Sequence, residues 1–547
     1  MENNHIITLP HLTNEIVVAA RKTKLCAYSV ALEGWRRGLK LKWYTIDSGK
    51  FDNMITFGVN PPGRLFSLSS EEKTHFFFRT RGDKVSNQAV EIGADKEETK
   101  KWLSKSGVPV PQGGRFQEEQ TDEEIVQFAS TIDYPLVLKP TSGSLGNGVI
   151  TNIKTEVALR KALKYVRIDL EYPDVIIEQF IPGEEYRVYV IENEVIAAYN
   201  RLPANITGDG VHTVEQLIEL KNLQRKKNAR LHSCLIELDQ EVEEFVESSG
   251  YTLQSVPEKG EKLLLREKTN VSAGGDPVDV TDELPEAIKQ IAINAVKAIP
   301  DLFHCGVDII VDPNKPVEES GVVIELNPTA QIGGILFPTK GKARDIPGAL
   351  IDYYFPETKG KEIDSRMFFD LNSVLEPLQS RSAVEVEVSP APQGKIYAKK
   401  YVLKGNVKRQ SFHQWIKIEA LDRGLIGYVN NYISGDIEVI VAGPNREEVN
   451  MFKNVLRTKP DKAKVKRIYE ESWNYPVKVG FEINEGFNVT SLASTIRKME
   501  KELKRAQKEK RRLDKEISKI KTSRSWKVIS PLRKIEDLFR ILFVKQV

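Results

Sequence analysis

Hydrophobic positions along this chain change period several times, and the changes mark its elements. Asn14 to Gly38 reads as a helix, and LKLKWYTI (39–46) then alternates as a half-buried strand. DKEETKKWLSKSG (95–107) is predicted as a short helix, opened by an Asp cap and ended at Gly107. YPLVLKP (134–140) reads as a strand that runs into a loop rich in glycine. VIIEQFI (175–181), EYRVYVI (185–191) and EVIAAYNR (194–201) are predicted as strands of one mostly antiparallel sheet. A long helical region covers 213–250. CGVDIIVD (305–312) and SGVVIELN (320–327) form another strand pair, joined by a turn with two prolines, and PGALIDYYF (347–355) reads as a closing helix.

The pattern shifts near residue 360. Residues 358–394 read as a linker, and 395–482 as a compact β-α-β-β-α-β segment. In the last part, Leu492, Ile496, Met499, Leu503, Ala506, Lys510, Leu513, Ile517 and Ile520 alternate at spacings of four and three. That heptad seam predicts a coiled coil over 488–523 and a homo-oligomer, with Lys510 setting register or strand number. The remaining tail, 524–547, is basic and amphipathic.

Composition narrows the class. A chain of 547 residues has room for about three or four domains. Hydrophobic content of 40% and charged content of 29% are ordinary for a soluble protein. Cys26, Cys234 and Cys305 are far apart and form no C-x-x-C pair, which argues against a disulfide framework or structural zinc site and suits a reducing cytosol. The N-terminus lacks a basic and apolar leader, and no run of about 18 apolar residues occurs. The expected location is therefore cytoplasmic. Net charge is +3 overall, yet residues 491–547 hold 18 Lys and Arg against 7 Asp and Glu. Such a tail suits an anionic membrane surface, here the inner face, or an assembly partner. Nucleic acid is not an expected partner, since no binding motif accompanies the charge.

Candidate chemistry begins at LKPTSGSLGNGV (138–149). Gly143, Gly146 and Gly148 let backbone N–H groups converge on an anion, and Ser142 and Ser144 add donors. Lys139, on the preceding strand, can reach the same phosphates. The pattern is not G-x-x-x-x-G-K-[ST], so this is not a P-loop. Further on, Glu178 ends an apolar strand and Glu185 lies beyond a Pro-Gly turn. Backbone groups of Gln179 to Ile181 can meet an adenine edge, and Glu185 can accept ribose hydroxyls. Asp308 and Glu325 sit on neighbouring apolar strands, with Asn327 on the face of Glu325. Three such oxygen ligands suit Mg²⁺, which keeps phosphates and water as its remaining ligands. Structural salt bridges are the plainer reading of the same carboxylates.

In this order the stretches resemble the ATP-grasp family over 91–357. RLPANITGDGVHTVEQLIELKN (201–222), the 250–283 stretch and IELNPTAQIGG look like the ATP-grasp portion of cyanophycin synthetase and of bifunctional glutathione synthetases. The resemblance implies an α+β fold whose two subdomains clamp ATP, preceded by an α/β region over 1–90. It implies ATP and Mg²⁺ as cofactors, two ions, with Mn²⁺ as an alternative. Lys96 matches the lysine reaching the nucleotide from the central subdomain, and Lys139 the second phosphate lysine. Ser142, Gly143, Ser144 and Gly146 cover the β- and γ-phosphates. Glu178, Gln179, Ile181 and Glu185 match adenine and ribose positions, and Asp308, Glu325 and Asn327 the metal ligands. Arg187, Arg201, His212, Arg266 and Asn270 fall where phosphate or an acyl phosphate is held. Arg79 and Arg81 are candidates for substrate contact.

The implied reaction is an ATP-dependent amide or peptide ligation through an acyl phosphate. The acid is an amino acid or peptide, free or attached to a polymer or surface glycan. One departure is the lack of the P-loop ligase domain that accompanies cyanophycin synthetase. PTAQIGGILFP, bordering the acceptor, also differs from relatives. The 395–482 segment resembles acylphosphatase, a ferredoxin-like fold. Asn431 closes its G-Y-V-N-N motif, but His413 replaces the family's phosphate-cradling arginine and Arg409 a loop glycine. Imidazole does not reproduce an arginine's fork of donors. Two other readings stand beside the ligase: an acylphosphate hydrolase with a regulatory ATP-grasp half, and a non-catalytic scaffold held by the coiled coil.

Overall fold

The structure, a computed structural model, describes residues 6–141, 148–407, 410–432, 436–458, 464–484 and Arg512. Ser142, Gly143, Ser144 and Gly146 lie outside the described residues. So do the heptad region 488–523, Arg512 apart, and the basic tail 524–547. Two compact units emerge. One comprises Met1–Tyr397, Gly443–Arg446 and Asn474–Val479; the other comprises Ala398–Ala442, Glu447–Trp473 and Gly480–Val547.

In the first unit, helix α1 (Leu25–Arg36) is buried almost all round, as its run LCAYSVALEGWR requires. The single helix expected over 14–38 is broken instead. Asn14–Val17 and two short 3₁₀ turns precede α1, and Lys22 sits at φ 70°, which no continuous helix accepts. Strands β1 (Lys40–Tyr44), β2 (Leu65–Ser69) and β3 (Thr74–Phe78) pair antiparallel, with Glu385–Glu387 on one edge and Arg81–Gly82 on the other. Gly34 lets α1 sit against β2: a β-carbon there would stand 2.4 Å from Leu68 Cδ1.

The stretch expected as a linker, 358–394, is built into this unit. It carries a helix at Leu371–Gln379 and short strands at Met367–Phe368 and Glu385–Glu387. Met367, Phe369, Leu371, Leu375 and Leu378 are buried, and the Phe369 ring meets Tyr28 and Trp35 edge-on at 5.1 and 5.3 Å. Its apolar residues are few and broken by Ser, Arg and Pro, so periodicity did not reveal it.

Helix α2 (Lys96–Lys105) forms as expected, capped by Asp95 and followed by Gly107 at φ 73°. Two further sheets follow. The first orders β4 (Gly113–Phe116), β7 (Val175–Gln179), β5 (Leu136–Pro140) and β6 (Ile150–Ile153). Its inner face packs Leu136, Leu138, Val175 and Ile177 on Ile125, Leu159 and Leu163. The second orders β10 (Asp276–Asp279), β9 (Glu194–Leu202), β8 (Glu184–Ile191), β11 (His304–Val311) and β12 (Gly321–Asn327). Every pairing in it is antiparallel. The three strands expected in one sheet are thus divided: 175–179 belongs to the first, 184–191 and 194–202 to the second. The helical region expected over 213–250 is two helices, Val214–Arg225 and Gln240–Ser248, the second restarted by an Asp239 cap.

The second unit follows the expected rhythm: β13 (Tyr397–Asn406), α3 (Gln410–Asp422), β14 (Ile426–Asn431), β15 (Ile437–Gly443), α4 (Arg446–Arg457) and β16 (Lys464–Ser472). Sheet order is β16-β13-β15-β14, the ferredoxin-like arrangement, and an unforeseen strand β17 (Phe481–Asn484) runs parallel to β14 at the edge. Val449, Phe452 and Leu456 give α4 its buried stripe.

Candidate active site

A cavity of about 710 Å³ opens in the first unit, lined from both of its later sheets. One wall is cationic. Lys139 on β5 and Glu178 on β7 share a face, because Val137 pairs with Glu178 and Lys139 lies two residues on. Glu178 is only 3% exposed. It accepts from Lys139 Nζ, and from Lys100 Nζ at 2.7 Å. Burial pushes its carboxyl up, but the two ammonium groups outweigh that and hold it below the usual range. Asp95 Oδ1 accepts the Glu97 and Glu98 N–H groups at 2.8 and 3.1 Å, which places Lys96 at the start of α2. Lys96 has no hydrogen bond or ion pair among the described residues, and burial followed by Lys139 depresses its pKa. Gln179 N–H donates to Gln112 O at 2.8 Å, and the half-apolar lip continues through Phe180 and buried Ile181.

The opposite wall is an ion network. Arg187 on β8 and Asp308 on β11 are register partners. They join through two bonds, Nε–Oδ1 2.5 Å and Nη2–Oδ2 2.6 Å. Arg201 on β9 donates to Glu185 Oε1 at 2.6 Å, Asp308 Oδ2 at 3.0 Å and Asn270 Oδ1 at 2.8 Å. The Thr269 hydroxyl donates to Glu185 as well. Burial would raise Asp308, but Arg187 and Arg201 keep it ionised.

Asp308 pairs in register with Glu325 on β12. Burial, then the Asp308 charge, pushes the Glu325 carboxyl up. Glu325 has no hydrogen bond or ion pair among the described residues. Asn327 Nδ2 is buried without a hydrogen-bond partner among the described residues. No group of three His, Cys, Asp or Glu side chains stands ready for a metal among the described residues. Glu325, unpaired among the described residues, and the side-chain oxygen of Asn327 on the same strand face are nevertheless oxygen donors of the kind a hard divalent cation takes, few at a time. Glu325 and Asn327 are the residues that fit; both Asp308 oxygens are already held by guanidinium groups.

In the second unit, His413 is 3% exposed and its Nε2 lies 3.1 Å from Val407 O. Burial lowers its pKa, with the Val407 carbonyl opposing. The imidazole therefore faces inward. Asn431 ends β14, partly buried. Arg409 lies outside the described residues.

Residues 93–332 match the model of the ATP-grasp domain. Residues 399–483 match that of acylphosphatase. The cyanophycin synthetase of Nostoc sp. is 35% identical over 343 residues, covering 61% of this chain and 35% of that protein. The glutathione biosynthesis bifunctional protein of Enterococcus faecalis is 38% identical over 275 residues, covering 49% of this chain and 36% of that protein. Among solved structures, a bifunctional glutathione synthetase from Pasteurella multocida is 29% identical, with a TM-score of 0.42, over 54% of this chain and 40% of that one. The chain spans about a third of the length of the curated relatives it matches.

The ATP-grasp domain brings together Lys96, Lys139, Glu178, Gln179, Ile181, Glu185, Arg187, Arg201, Asn270, Asp308, Glu325 and Asn327 as lining of one cleft. Two residues expected there are elsewhere. Arg266 is pinned to the start of the Gln240–Ser248 helix by Glu241 and Asp239, at 2.5 and 2.6 Å. His212 closes a turn with Asp209 at 2.6 Å. Of the two N-terminal arginines, Arg79 lines the cleft. Arg81 instead ties its own loop, donating to Val85 O, Ile55 O and Asn87 Oδ1. Lys100, Thr269 and Arg230 were missed. Only Lys100 carried a local signal, standing one turn after Lys96 on the same helix face.

Proposed function

We propose that the chain is an ATP-dependent ligase joining a carboxylate to an amine through an acyl phosphate, with release of ADP and phosphate. The observation that carries this is the convergence of two phosphate-type lysines, a paired-arginine wall and the Glu325–Asn327 ligand pair on one cleft. A carboxylate is a poor acyl donor, because its leaving group would be oxide; phosphorylation supplies a better one. Lys96 and Lys139 would neutralise the transferring phosphoryl group, and Arg187 and Arg201 the acyl phosphate. Glu325 and Asn327 would hold Mg²⁺, which would supply positive charge against the transferred phosphate. Glu185 and Ile181 would seat ribose and adenine. The acid would be an amino acid or peptide, free or attached to a polymer or glycan.

Self-association through the 488–523 heptads, and docking of the 524–547 tail on an anionic membrane or an assembly partner, belong to the same proposal, as does a cytoplasmic setting. No helix among the described residues is long and apolar enough to cross a membrane. The hydrolase reading is disfavoured by His413, which is buried and turned to Val407 where a phosphate cradle needs a cation.

ADP release with Mg²⁺-ATP, assayed against amino-acid pairs and peptides, tests the ligase. Lys139→Ala should lower the rate about 100-fold or more, the scale of losing one charge-stabilising group. A variant at wild-type rate would remove Lys139 from the chemistry.

A further inference from the structure

A second cavity, of about 520 Å³, lies in the same unit as the ATP-grasp cleft and takes no part in the proposed reaction. It is lined by β4, the edge strand of the first cleft sheet, and by Lys100, Lys101 and Ser104 of α2. Its floor is apolar, made by Val110, Pro111, Phe128, Ile132 and Ile176. Ile176 is buried, and Phe128 and Ile132 pack on the core behind the sheet. A β-carbon on Gly114 would stand 2.9 Å from Phe128 Cζ, so the glycine lets that ring lie directly on β4. Phe116 holds the same ring edge-on, centre to centre at 5.2 Å.

The rim carries a cation without a close partner. Arg115 on β4 lines the cavity. The acids within its reach, Asp95 and Asp174, stand at 3.5 and 3.6 Å. Each is already engaged: Asp95 accepts the Glu97 and Glu98 N–H groups, and Asp174 accepts the Glu118 N–H at 2.9 Å. Arg115 makes no side-chain hydrogen bond among the described residues, and its Nε is buried without one. A buried guanidinium N–H with no acceptor costs stability. Glu97, the acid in the lining, is paired with Lys101 at 3.3 Å.

Lys100 links this cavity to the cleft. It lines the cavity, while its Nζ donates to Glu178 Oε1 at 2.7 Å. Glu178 lines the cleft and also accepts from Lys139. An anion beside Lys100 competes with Glu178 for its ammonium. Glu178 then leans on Lys139 alone and holds that ammonium back from phosphate.

We propose that this cavity is an effector site for a small organic anion with an apolar body, and that its occupation weakens nucleotide binding through Lys100. An apolar hollow of this size with a few placed polar groups is the usual form of a small-molecule site. The Arg115 guanidinium supplies the fork of donors that anchors an oxyanion head. The binding stands without the ligase reading. The coupling rests on it, because it takes Lys139 as a phosphate lysine.

Fluorescence titration of the full chain with 8-anilinonaphthalene-1-sulfonate tests the site, with uncharged N-phenyl-1-naphthylamine as control. The sulfonate should bind saturably and about tenfold tighter or more, the scale of one charge-assisted hydrogen bond. Arg115→Gln should remove that preference. Ser104→Trp, a plug at an exposed position of α2, should weaken both probes and guards against misfolding of the first variant. A non-hydrolysable ATP analogue with Mg²⁺ should weaken the sulfonate about fivefold or more and then level off, and the sulfonate should weaken the analogue by the same factor. Equal binding of the two probes, or binding untouched by either variant, overturns the site. Displacement that runs to completion as the analogue rises places the probe in the cleft and overturns it as well. Binding that needs Arg115 but leaves the analogue's affinity unchanged overturns the coupling. Binding as expected with no analogue bound at all leaves the site standing and sinks the ligase reading.

Discussion

At the scale of single residues, the cleft is a balance of charges that sequence proximity only partly discloses. Lys139 stood out because it precedes a glycine-rich loop. Glu178 stood out because a carboxylate rarely ends so apolar a strand. That the two neutralise each other, with Lys100 as third member, depends on register between β5 and β7. Removing the shared carboxylate strands the buried Lys139 ammonium and the half-buried one of Lys100. Glu178→Ala should therefore cost about 3–5 kcal/mol, read by urea unfolding. The pH dependence has a defined sign. The Glu178 carboxyl lies below its ordinary value of 4.5 in the fold. Its contribution is complete above that value and lost as pH falls through the lower, folded one. Stability of the wild type should thus decline in acid more steeply than that of Glu178→Gln; parallel curves would contradict the pairing. Arg266 and Arg201 show the converse. Both were expected at phosphate, yet nearby acids decide: Arg266 meets Asp239 and Glu241 at a helix start, while Arg201 meets the cleft carboxylates.

At the scale of elements, the clearest dependence is on how the chain passes from one cleft sheet to the other. Strand β7 ends at Gln179 and β8 begins at Glu184, and Gly183 between them takes φ 141°. A β-carbon there would lie 2.1 Å from Val311 O, a backbone atom that cannot swing aside. Gly183→Ala should therefore push β8 from β11, costing about 1–3 kcal/mol, and should misplace Glu185 and Arg187. Lower stability with weakened nucleotide binding is the expected result; an unchanged unfolding midpoint would refute the argument. This crossing is also why three consecutive apolar runs looked like one sheet. Their alternation is alike, and only the Pro-Gly step between the first two hints at a change of partner. Helices were read more reliably where a cap existed, as at Asp95, and less so where a left-handed residue broke the run, as at Lys22.

At the scale of the molecule, the first unit is not closed by the residues that precede the second. Val477–Lys478 pairs with Met367–Phe368, and the Val477 and Val479 N–H groups donate to Arg366 O and Phe368 O at 3.0 and 2.8 Å. Val477 is buried with Met367 and Phe369. A chain ending at residue 397 loses that strand, its hydrogen bonds and about 1.5–3 kcal/mol for the buried valine. It should unfold at lower urea than the first unit does in the full chain, with faster amide exchange around 364–371. Equal stability would show that 474–479 is dispensable. The stretch before it, taken from the sequence as a linker, belongs to the same packing.

What the sequence determined by itself was local. It specified several of the strands and helices, their apolar faces, where Asp95 caps and Gly107 ends a helix, and which residue types suit phosphate, metal and acid. These follow from periodicity and backbone preference, which act within a few residues. Only the tertiary structure decided which strands share a sheet. It also decided that Asp308 is held by two arginines while Glu325 has no hydrogen bond or ion pair among the described residues, and that His413 faces inward. Each of these depends on register between segments tens to hundreds of residues apart. A shift of one residue would turn every side chain to the opposite face, and that choice leaves no trace in local spacing.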